Sequence, residues 1–323
     1  MGSTLINYIK VISSNKVSPK FYLHVVLTFF IIVLISPLQL IDKVIYLFNK
    51  NTLKKKDPIF IIGHWRSGTT LLHNTLCKNQ NFGFLNTYNS LFINNIYSKY
   101  LLKTLMKLIM PSERPSDKIR LDVNLPKEDE FAVSNITNLS HYNFFFFPQE
   151  YKKFYSEAVR FNNSKSSDWL SSYRKLLDRV QIYTNKEQLI IKNPSNTARI
   201  KYLLEKFPDA KFIHIYRNPV NVFLSTYKFF YELFPSVNLQ KCSSDLLEKL
   251  ILHNYREMYT DYYAQKHLIP EKNLIEIKFE DFKKDSYSYL KKIHSQFDLD
   301  LNEFTEKNYR DYLKQQKSHK MNT

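Results

Sequence analysis

A glycine-framed loop is the part of this sequence best suited to chemistry. The chain of 323 residues has only four glycines, and Gly63 and Gly68 stand five positions apart. The apolar run 58–62 predicts a strand before the loop, and the apolar stripe within Thr69–Asn79 predicts a helix after it. Glycines let backbone N–H groups approach an anion closely, and a helix N-terminus adds unpaired donors and a positive dipole end. The loop is therefore a candidate phosphate cradle.

The loop departs from the pattern of nucleoside triphosphatases. Those proteins carry G-x-x-x-x-G-K-[ST], in which the lysine reaches the outer phosphates and the hydroxyl binds magnesium. Here Thr70 occupies the hydroxyl position, Thr69 replaces the lysine, and the cation lies inside the loop as Arg66. The sequence thus predicts an anion site without the usual magnesium-nucleotide arrangement. A plain structural turn is the alternative interpretation of this segment alone.

A second candidate anion site follows another predicted strand, Lys211–Tyr216. Arg217 comes directly after this strand, and Ser225 stands eight residues later, about two turns into a helix that begins near Pro219. The guanidinium group presents a planar fork of donors that suits phosphate. If the chain folds back, Arg217 and Ser225 can share one anion. Taken alone, the segment also fits an arginine at a strand end beside a surface serine.

In this order, the two segments resemble sulfotransferases that use 3′-phosphoadenosine 5′-phosphosulfate (PAPS). The R-S-G-T-T-L run is similar to their 5′-phosphosulfate loop, and R-N-P with a serine eight residues after the arginine is similar to their 3′-phosphate site. The resemblance extends from Asp57 to about Phe297. The motifs GHWRSGTTLLHN and PKEDEF are most similar to a mainly bacterial branch. The resemblance implies a donor site without metal, formed by Arg66, Ser67, Gly68, Thr69, Thr70, Leu71, Arg217 and Ser225.

Sulfuryl transfer requires aligned reactants, stabilisation of spreading negative charge and a base for the acceptor hydroxyl. Arg66 is one catalytic candidate. Lys192 is another, because Ile-Ile-Lys at the end of a predicted strand resembles the place of a lysine in cytosolic sulfotransferases; their catalytic histidine has no counterpart here. Glu130 is slightly preferred as the base because it adjoins an apolar run. The three acids also suit an exposed first turn of a helix. The other candidates for the base are Glu128, Asp129 and, outside the acidic motif, His64.

The order of predicted strands and helices after residue 57 indicates an α/β fold. Alternation of this kind implies a central parallel sheet flanked by helices, with ligands at the carboxyl ends of the strands. The resemblance implies that this is the P-loop-like sulfotransferase fold. We predict a catalytic domain over 57–323, with an acceptor-binding insert at about 82–186. The insert contains the run Phe144–Phe147, which fits a buried core segment better than a lipid pocket.

Residues 1–56 are predicted to form a separate hydrophobic, helical segment and a candidate membrane anchor. The stretch 21–41 has no charged side chain, and as a helix it would be about 31 Å long, close to the thickness of the hydrocarbon core. It could span the bilayer, lie in its interface or dock on the catalytic domain. Three lysines precede the stretch and five follow it up to Lys56. If the segment spans, this excess places the catalytic domain in the cytoplasm.

The net charge limits which partners we expect, and the number of cysteines indicates the cellular compartment. The net charge of +17 suits a nucleotide or an acidic membrane surface, and the sequence lacks a nucleic-acid recognition motif. Two cysteines favour a reducing compartment. We therefore expect a cytoplasmic enzyme or one at the cytoplasmic face of a membrane, acting on a lipid or other hydrophobic alcohol; a carbohydrate or tyrosyl hydroxyl stays open. The other function classes are a P-loop kinase-like phosphotransferase and a non-catalytic nucleotide-binding membrane protein.

Overall fold

The fold is built on five parallel strands. The computed structural model describes residues 2–49, 55–110, 122–162 and 165–318. The strands lie side by side in the order β2-β3-β1-β4-β5. In chain order they are β1 (Ile59–Ile62), β2 (Phe82–Gly83), β3 (Gln188–Lys192), β4 (Lys211–Tyr216) and β5 (Leu274–Lys278). The parallel sheet predicted from the sequence is confirmed.

Helices cover the sheet and form most of the remaining structure. The helices that precede β3 along the chain are α1 (Leu5–Ser13), α2 (Tyr22–Asn49), α3 (Thr69–Leu76), α4 (Thr87–Leu91), α5 (Lys99–Ile109), α6 (Glu130–Ile136), α7 (Asn143–Phe146), α8 (Tyr151–Ala158) and α9 (Ser166–Thr184). Those that follow β3 are α10 (Ile200–Lys206), α11 (Pro219–Val237), α12 (Ser244–Gln265), α13 (Phe279–Lys284), α14 (Ser286–Gln296) and α15 (Glu303–Ser318).

The central strand β1 is buried on both faces. Phe60 and Ile62 belong to one core cluster, which α9 completes. Ile59 and Ile61 belong to another cluster, on the side of α3 and α14. This division follows from the alternation of side chains along a strand. Because all strands run in the same direction, their carboxyl ends meet at one edge, and the loops that follow β1, β3 and β4 lie together there.

Two local features differ in detail from the sequence prediction. The helix predicted over Thr69–Asn79 ends at Leu76. The chain turns there because the N–H groups of Lys78 and Asn79 bond back into the last helical turn, and the side chain of Asn79 accepts from the Asn81 N–H. In the insert, Phe144, Phe145 and Phe147 are buried whereas Phe146 is partly exposed.

The N-terminal segment forms two helices that dock on the rest of the chain. The Tyr8 hydroxyl joins the two helices by donating to the Val25 carbonyl. Asn7 Nδ2 donates to the Ser134 carbonyl and the Ser18 N–H donates to the Leu239 carbonyl, which connects the segment to the rest of the chain. Residues Pro19–Asn49 are long and apolar enough to cross a membrane, and the most apolar 18-residue window among them has a mean hydropathy of 2.3. Part of the predicted basic flank, residues 50–54, lies outside the described residues, as does the C-terminal 319–323.

Candidate active site

The loop between β1 and α3 requires glycine at both ends. Gly63 has φ of +136°, and a Cβ there would lie 2.2 Å from the carbonyl oxygen of Ile215. Gly68 has φ of +92°, and a Cβ there would lie 2.1 Å from the ring of Phe279. Both the backbone conformation and the close neighbours therefore exclude a side chain. The Gly63 N–H donates to the hydroxyl of Thr197 at 2.7 Å, which ties the loop to the segment after β3.

Arg66 joins the two candidate anion sites. Its φ of +66° is uncommon for a residue with a side chain and marks a backbone held by its surroundings. Its Nε–H donates to the Ser225 hydroxyl at 2.9 Å, and its carbonyl accepts from Arg217 Nη1 at 3.3 Å. The structure thus brings Arg66, Arg217 and Ser225 together. The sequence predicts that Ser225 and Arg217 share one anion; in the structure the Ser225 hydroxyl is hydrogen-bonded directly to Arg66.

Two buried polar atoms at this site have no hydrogen-bond partner among the described residues: Arg217 Nε and His64 Nε2. Buried polar groups in folded proteins nearly always have a partner, so such atoms indicate a ligand. Ser67 and Arg217 offer donors, as a phosphate requires. These residues, together with the N-terminus of α3, fit a ligand with phosphate groups.

His64 differs from its neighbours because it is an acceptor. Its Nδ1 lies 3.0 Å from the Trp65 carbonyl oxygen, which needs a donated proton, so Nε2 carries the lone pair. Burial lowers the pKa of His64 to about 4. The imidazole is therefore neutral at physiological pH and adds no positive charge to the loop.

A chain of polar side chains leads from this loop to the acidic motif. Lys192 is the last residue of β3, and its Nζ donates to the Thr70 hydroxyl at 3.2 Å. The same Nζ lies 2.9 Å from Glu128 Oε1. The other carboxylate oxygen of Glu128 accepts from the Tyr142 hydroxyl, which in turn accepts from Trp65 Nε1 at 2.9 Å. Lys192 therefore lies between the loop and a carboxylate.

The surroundings of Glu128 keep its carboxyl group ionised. Burial raises its pKa, but the charge of Lys192 and the hydrogen bond from Tyr142 outweigh burial and lower the pKa to about 2. The carboxylate is thus deprotonated throughout the physiological range. Its side chain keeps 16% of its surface accessible, so Glu128 can be reached by a small polar group.

Glu130 lies in a different environment. It is fully buried, and Arg199 donates to both of its carboxylate oxygens, at 2.6 Å and 3.1 Å. The Ser140 hydroxyl, the His141 N–H and Asn193 Nδ2 also donate to it. The carboxylate of Glu130 thus has five donors and no accessible surface, and it joins neighbouring segments of the chain.

Asp129, the remaining acid of the motif, is also fully buried. Its carboxylate accepts from the Tyr173 hydroxyl. Burial is the largest cause that raises the pKa of Asp129 to about 7. Among the three acids, Glu128 alone contacts a residue that also contacts the loop.

Comparison with known proteins agrees with this geometry. The model of the Sulfotransferase family matches residues 58–303. The chain belongs to the sulfotransferase family. It is 28% identical over 268 residues to omega-hydroxy-beta-dihydromenaquinone-9 sulfotransferase Stf3 of Mycobacterium bovis, covering 82% of this chain and 69% of that protein. The match to Stf3 of Mycobacterium tuberculosis has the same values.

Two solved sulfotransferases share the fold. STF1 from Mycobacterium tuberculosis H37Rv superposes with a TM-score of 0.69 at 15% identity, covering 95% of this chain and 84% of that one. STF9 from Mycobacterium avium superposes with a TM-score of 0.67 at 17% identity, covering 85% and 72%. Among the described residues, no group of three or more histidine, cysteine or acidic side chains is arranged to hold a metal.

Several residues of the candidate site could not be identified from the sequence pattern. Thr197 and Arg199 follow the predicted Lys192 by a few positions, but their partners are distant along the chain. Tyr142 lies in an aromatic-rich stretch with nothing to distinguish it from its neighbours. Phe279 is the first residue of α13, and its contact with Gly68 is visible only in the fold.

Proposed function

We propose that this sulfotransferase moves a sulfuryl group from PAPS to a hydroxyl of its acceptor. The observation that carries the proposal is the position of Lys192, whose ammonium group contacts both the Thr70 hydroxyl and the Glu128 carboxylate. A cation at this point offsets negative charge that develops on a group held by the loop. A carboxylate beside it can receive the proton that the acceptor hydroxyl loses.

The donor would use both anion sites. PAPS carries a 5′-phosphosulfate and a 3′-phosphate, which matches two clusters of donors joined by the hydrogen bond between Arg66 and Ser225. We assign the 5′-phosphosulfate to Arg66 and the loop residues Ser67 to Leu71. We assign the 3′-phosphate to Arg217 and Ser225. The guanidinium groups and backbone amides supply the positive field, so the proposal includes no metal.

The proposed reaction is an in-line displacement. The acceptor oxygen forms a bond to sulfur, and the bond between sulfur and the bridging oxygen of the donor breaks. The product that leaves is adenosine 3′,5′-bisphosphate. The hydroxyl proton passes to Glu128. Sequence reasoning slightly preferred Glu130 for this role; the ion pair with Arg199 leads us to propose Glu128 as the base and Glu130 as a structural residue.

For the acceptor, we propose a lipid or another hydrophobic alcohol. The name of Stf3, omega-hydroxy-beta-dihydromenaquinone-9 sulfotransferase, describes a hydroxylated lipid as that relative's substrate. Partly buried aromatic side chains pack against the cluster that includes Trp65 and Tyr142, so apolar surface lies beside the proposed base. Because the donor is a cytoplasmic metabolite, we place the reaction at the cytoplasmic face of a membrane.

The test is transfer of labelled sulfate from PAPS into a lysate, with separation of lipid, glycan and protein fractions. We expect label in the lipid fraction. Label in water-soluble glycans alone would contradict the lipid acceptor, and no transfer to any fraction would contradict the sulfotransferase assignment. In Arg66→Ala and Arg217→Ala we expect weaker binding of 3′,5′-bisphosphate; unchanged binding in both variants would contradict the proposed donor site.

The base is tested by Glu128→Gln, with Glu205→Gln on the exposed surface of α10 as the matched control. Loss of a general base lowers the rate by roughly 10²- to 10⁴-fold. We expect a decrease of that size in kcat for Glu128→Gln, with nucleotide affinity retained, and no change for Glu205→Gln. If Glu128→Gln keeps the kcat of the parent, Glu128 is not the base.

A further inference from the structure

Helix α2 has one face that is apolar and exposed along its whole length. The exposed large side chains fall on one half of the helical circumference and extend over about 40 Å of helix. Only 11% of the most apolar window of this helix is buried. An exposed apolar surface of this size marks a site for a partner or a membrane. Its residues are Tyr22, Leu23, Val26, Leu27, Phe30, Ile31, Val33, Leu34, Leu40, Ile41, Val44, Leu47 and Phe48.

The opposite face of α2 packs against the rest of the protein. Ile35 packs in a cluster with Leu102 and Met106 of α5. The carboxylate of Asp42 is buried and accepts from the N–H groups of Tyr97 and Ser98, at 2.5 Å and 3.1 Å. The Ser98 hydroxyl donates to the same carboxylate at 2.6 Å. These N–H groups lie at the N-terminus of α5, where a negative charge is favourable.

The docked contacts extend over most of α2. Near its start, Val25 packs against the cluster that includes Trp65 and Tyr142. Near its end, the ring of Tyr46 lies beneath the guanidinium group of Arg179. To cross a bilayer, α2 would have to leave all these contacts, and the buried carboxylate of Asp42 would lose its three donors. The docked face therefore opposes a transmembrane orientation.

Helix α5, which packs against α2, carries basic residues. Lys99, Lys103 and Lys107 recur every four residues. Because the Lys99 ammonium group donates to the Tyr183 hydroxyl at 3.4 Å, the lysine row for headgroups is Lys103 and Lys107. Beside this row, Tyr100 and Leu108 are about four-fifths exposed, at 82% and 79%. Neither α5 nor the exposed apolar face of α2 contains an acidic residue. A helix with lysines beside exposed apolar side chains is typical of attachment to an anionic membrane interface.

We infer that α2 and α5 form a membrane-binding surface that lies in the plane of the bilayer interface without crossing it. The apolar face of α2 enters the boundary between headgroups and acyl chains, and the lysine row of α5 contacts anionic headgroups. The occupant of this surface is the lipid bilayer. The inference deepens the membrane association proposed above and does not depend on sulfuryl transfer, so its test uses no activity measurement.

This orientation has a consequence for the acceptor. The first turns of α2 pack on the same cluster as Trp65, whose indole N–H donates to Tyr142 beside Glu128. A lipid alcohol in the bound leaflet would therefore reach the proposed base from the side on which α2 begins. Only one leaflet would supply acceptor to a given enzyme molecule.

The depth of α2 can be measured with brominated lipids, which quench tryptophan fluorescence at a known depth. We would compare Leu23→Trp, Leu34→Trp and Phe48→Trp in the full-length protein on vesicles that contain phosphatidylglycerol. The buried Trp65 and Trp169 provide a constant background. We expect the three reporters to lie at one shallow depth, whereas Leu252→Trp, exposed on α12, is not quenched.

Two outcomes would overturn the inference. A reporter at position 34 much deeper than those at 23 and 48 would indicate a transmembrane helix. The absence of quenching at all three positions, together with dimers in solution, would indicate that a second copy covers this surface.

Vesicle flotation gives a second measurement. In Leu27→Glu/Leu34→Glu we expect binding to vesicles to fall by at least about tenfold, since two buried apolar side chains are lost; Leu252→Glu is the control. In Lys103→Gln/Lys107→Gln we expect a decrease of roughly fivefold for each charge on anionic vesicles, and none on phosphatidylcholine alone. If both double variants bind vesicles as well as the parent, the inference that α2 and α5 form a membrane-binding surface is wrong.

Discussion

The charge of Lys192 determines how easily Glu128 takes up a proton. Burial raises the pKa of Glu128, whereas Lys192 and Tyr142 lower it to about 2. A carboxylate with so low a pKa is a weak base as long as its partners stay in place. If the donor draws the ammonium group of Lys192 toward the loop, the pKa of Glu128 rises, and the carboxylate becomes a better proton acceptor when the substrates are bound.

This coupling predicts the pH profile of Lys192→Met. Without the ammonium group, the effect of burial prevails and the pKa of Glu128 rises from about 2 toward or above its ordinary value of 4.5. The deprotonated fraction then falls at mildly acidic pH, so the acid limb of kcat/KM moves to higher pH. Tyr142→Phe, which removes only a hydrogen bond, should move the limb in the same direction by less. An acid limb unchanged in Lys192→Met would contradict the coupling.

We predict that the ion pair between Glu130 and Arg199 contributes to the free energy of unfolding. Burial raises the pKa of Glu130, but the charge of Arg199 outweighs burial, and the pKa in the folded protein is lowered. Its stabilisation is therefore complete above the ordinary pKa of a glutamate and is lost as the pH falls below it. Glu130→Gln leaves Arg199 as an uncompensated buried charge, which costs about 3–5 kcal/mol.

Urea unfolding at several pH values measures this loss. We expect Glu130→Gln to lower the free energy of unfolding at pH 7, and the difference from the parent to shrink as the pH is lowered. Glu205→Gln should change the free energy by less than about 0.5 kcal/mol. If Glu130→Gln unfolds like the parent but has lost kcat, Glu130 is catalytic and the structural assignment is wrong.

At the scale of elements, the two strand-to-helix turns were predictable because their signals are local. An apolar strand, a glycine pair and the first helical stripe lie within a single run of sequence, and so do β4, Arg217 and Ser225. The partner of Glu130 was not predictable, since Arg199 lies 69 positions away. The apolar run after Glu130 was the reason to prefer this residue as the base; in the fold Glu130 is buried and accepts hydrogen bonds from five donors.

The loop itself gives a prediction for Gly68→Ala. Its φ of +92° is unfavourable for alanine, and the added methyl would meet the ring of Phe279 at 2.1 Å. The loop must shift, which moves the first amides of α3 away from the proposed phosphosulfate. We expect weaker binding of 3′,5′-bisphosphate in calorimetry. Glu205→Gln, on the exposed surface of α10 and away from the loop, is the control. Equal nucleotide affinity of Gly68→Ala and the parent would contradict the role of this turn.

For the whole molecule, the N-terminal segment belongs to the folded body even though its outward face is apolar. The hydrogen bonds from Gln240 to the Lys16 carbonyl and from Asn7 to the Ser134 carbonyl connect it to the rest of the chain. A sequence scan sees only the mean apolarity of 21–41, so it could not decide between a spanning, an interfacial and a docked helix. The buried Asp42 just beyond that stretch provides the distinction, and its three donors become visible only when α5 is placed beside it.

Asp42→Ala tests whether α2 depends on this connection. The substitution leaves the N–H groups of Tyr97 and Ser98 without their acceptor, and the loss of such a cap costs roughly 0.5–2 kcal/mol. Local opening requires less free energy than global unfolding. We therefore expect faster amide hydrogen exchange in α2 and in the first turn of α5, while exchange in the sheet stays unchanged. Asp245→Ala, on the exposed start of α12, should leave all these rates unaltered. Unchanged exchange of α2 in Asp42→Ala would mean that its apolar contacts alone hold it in place.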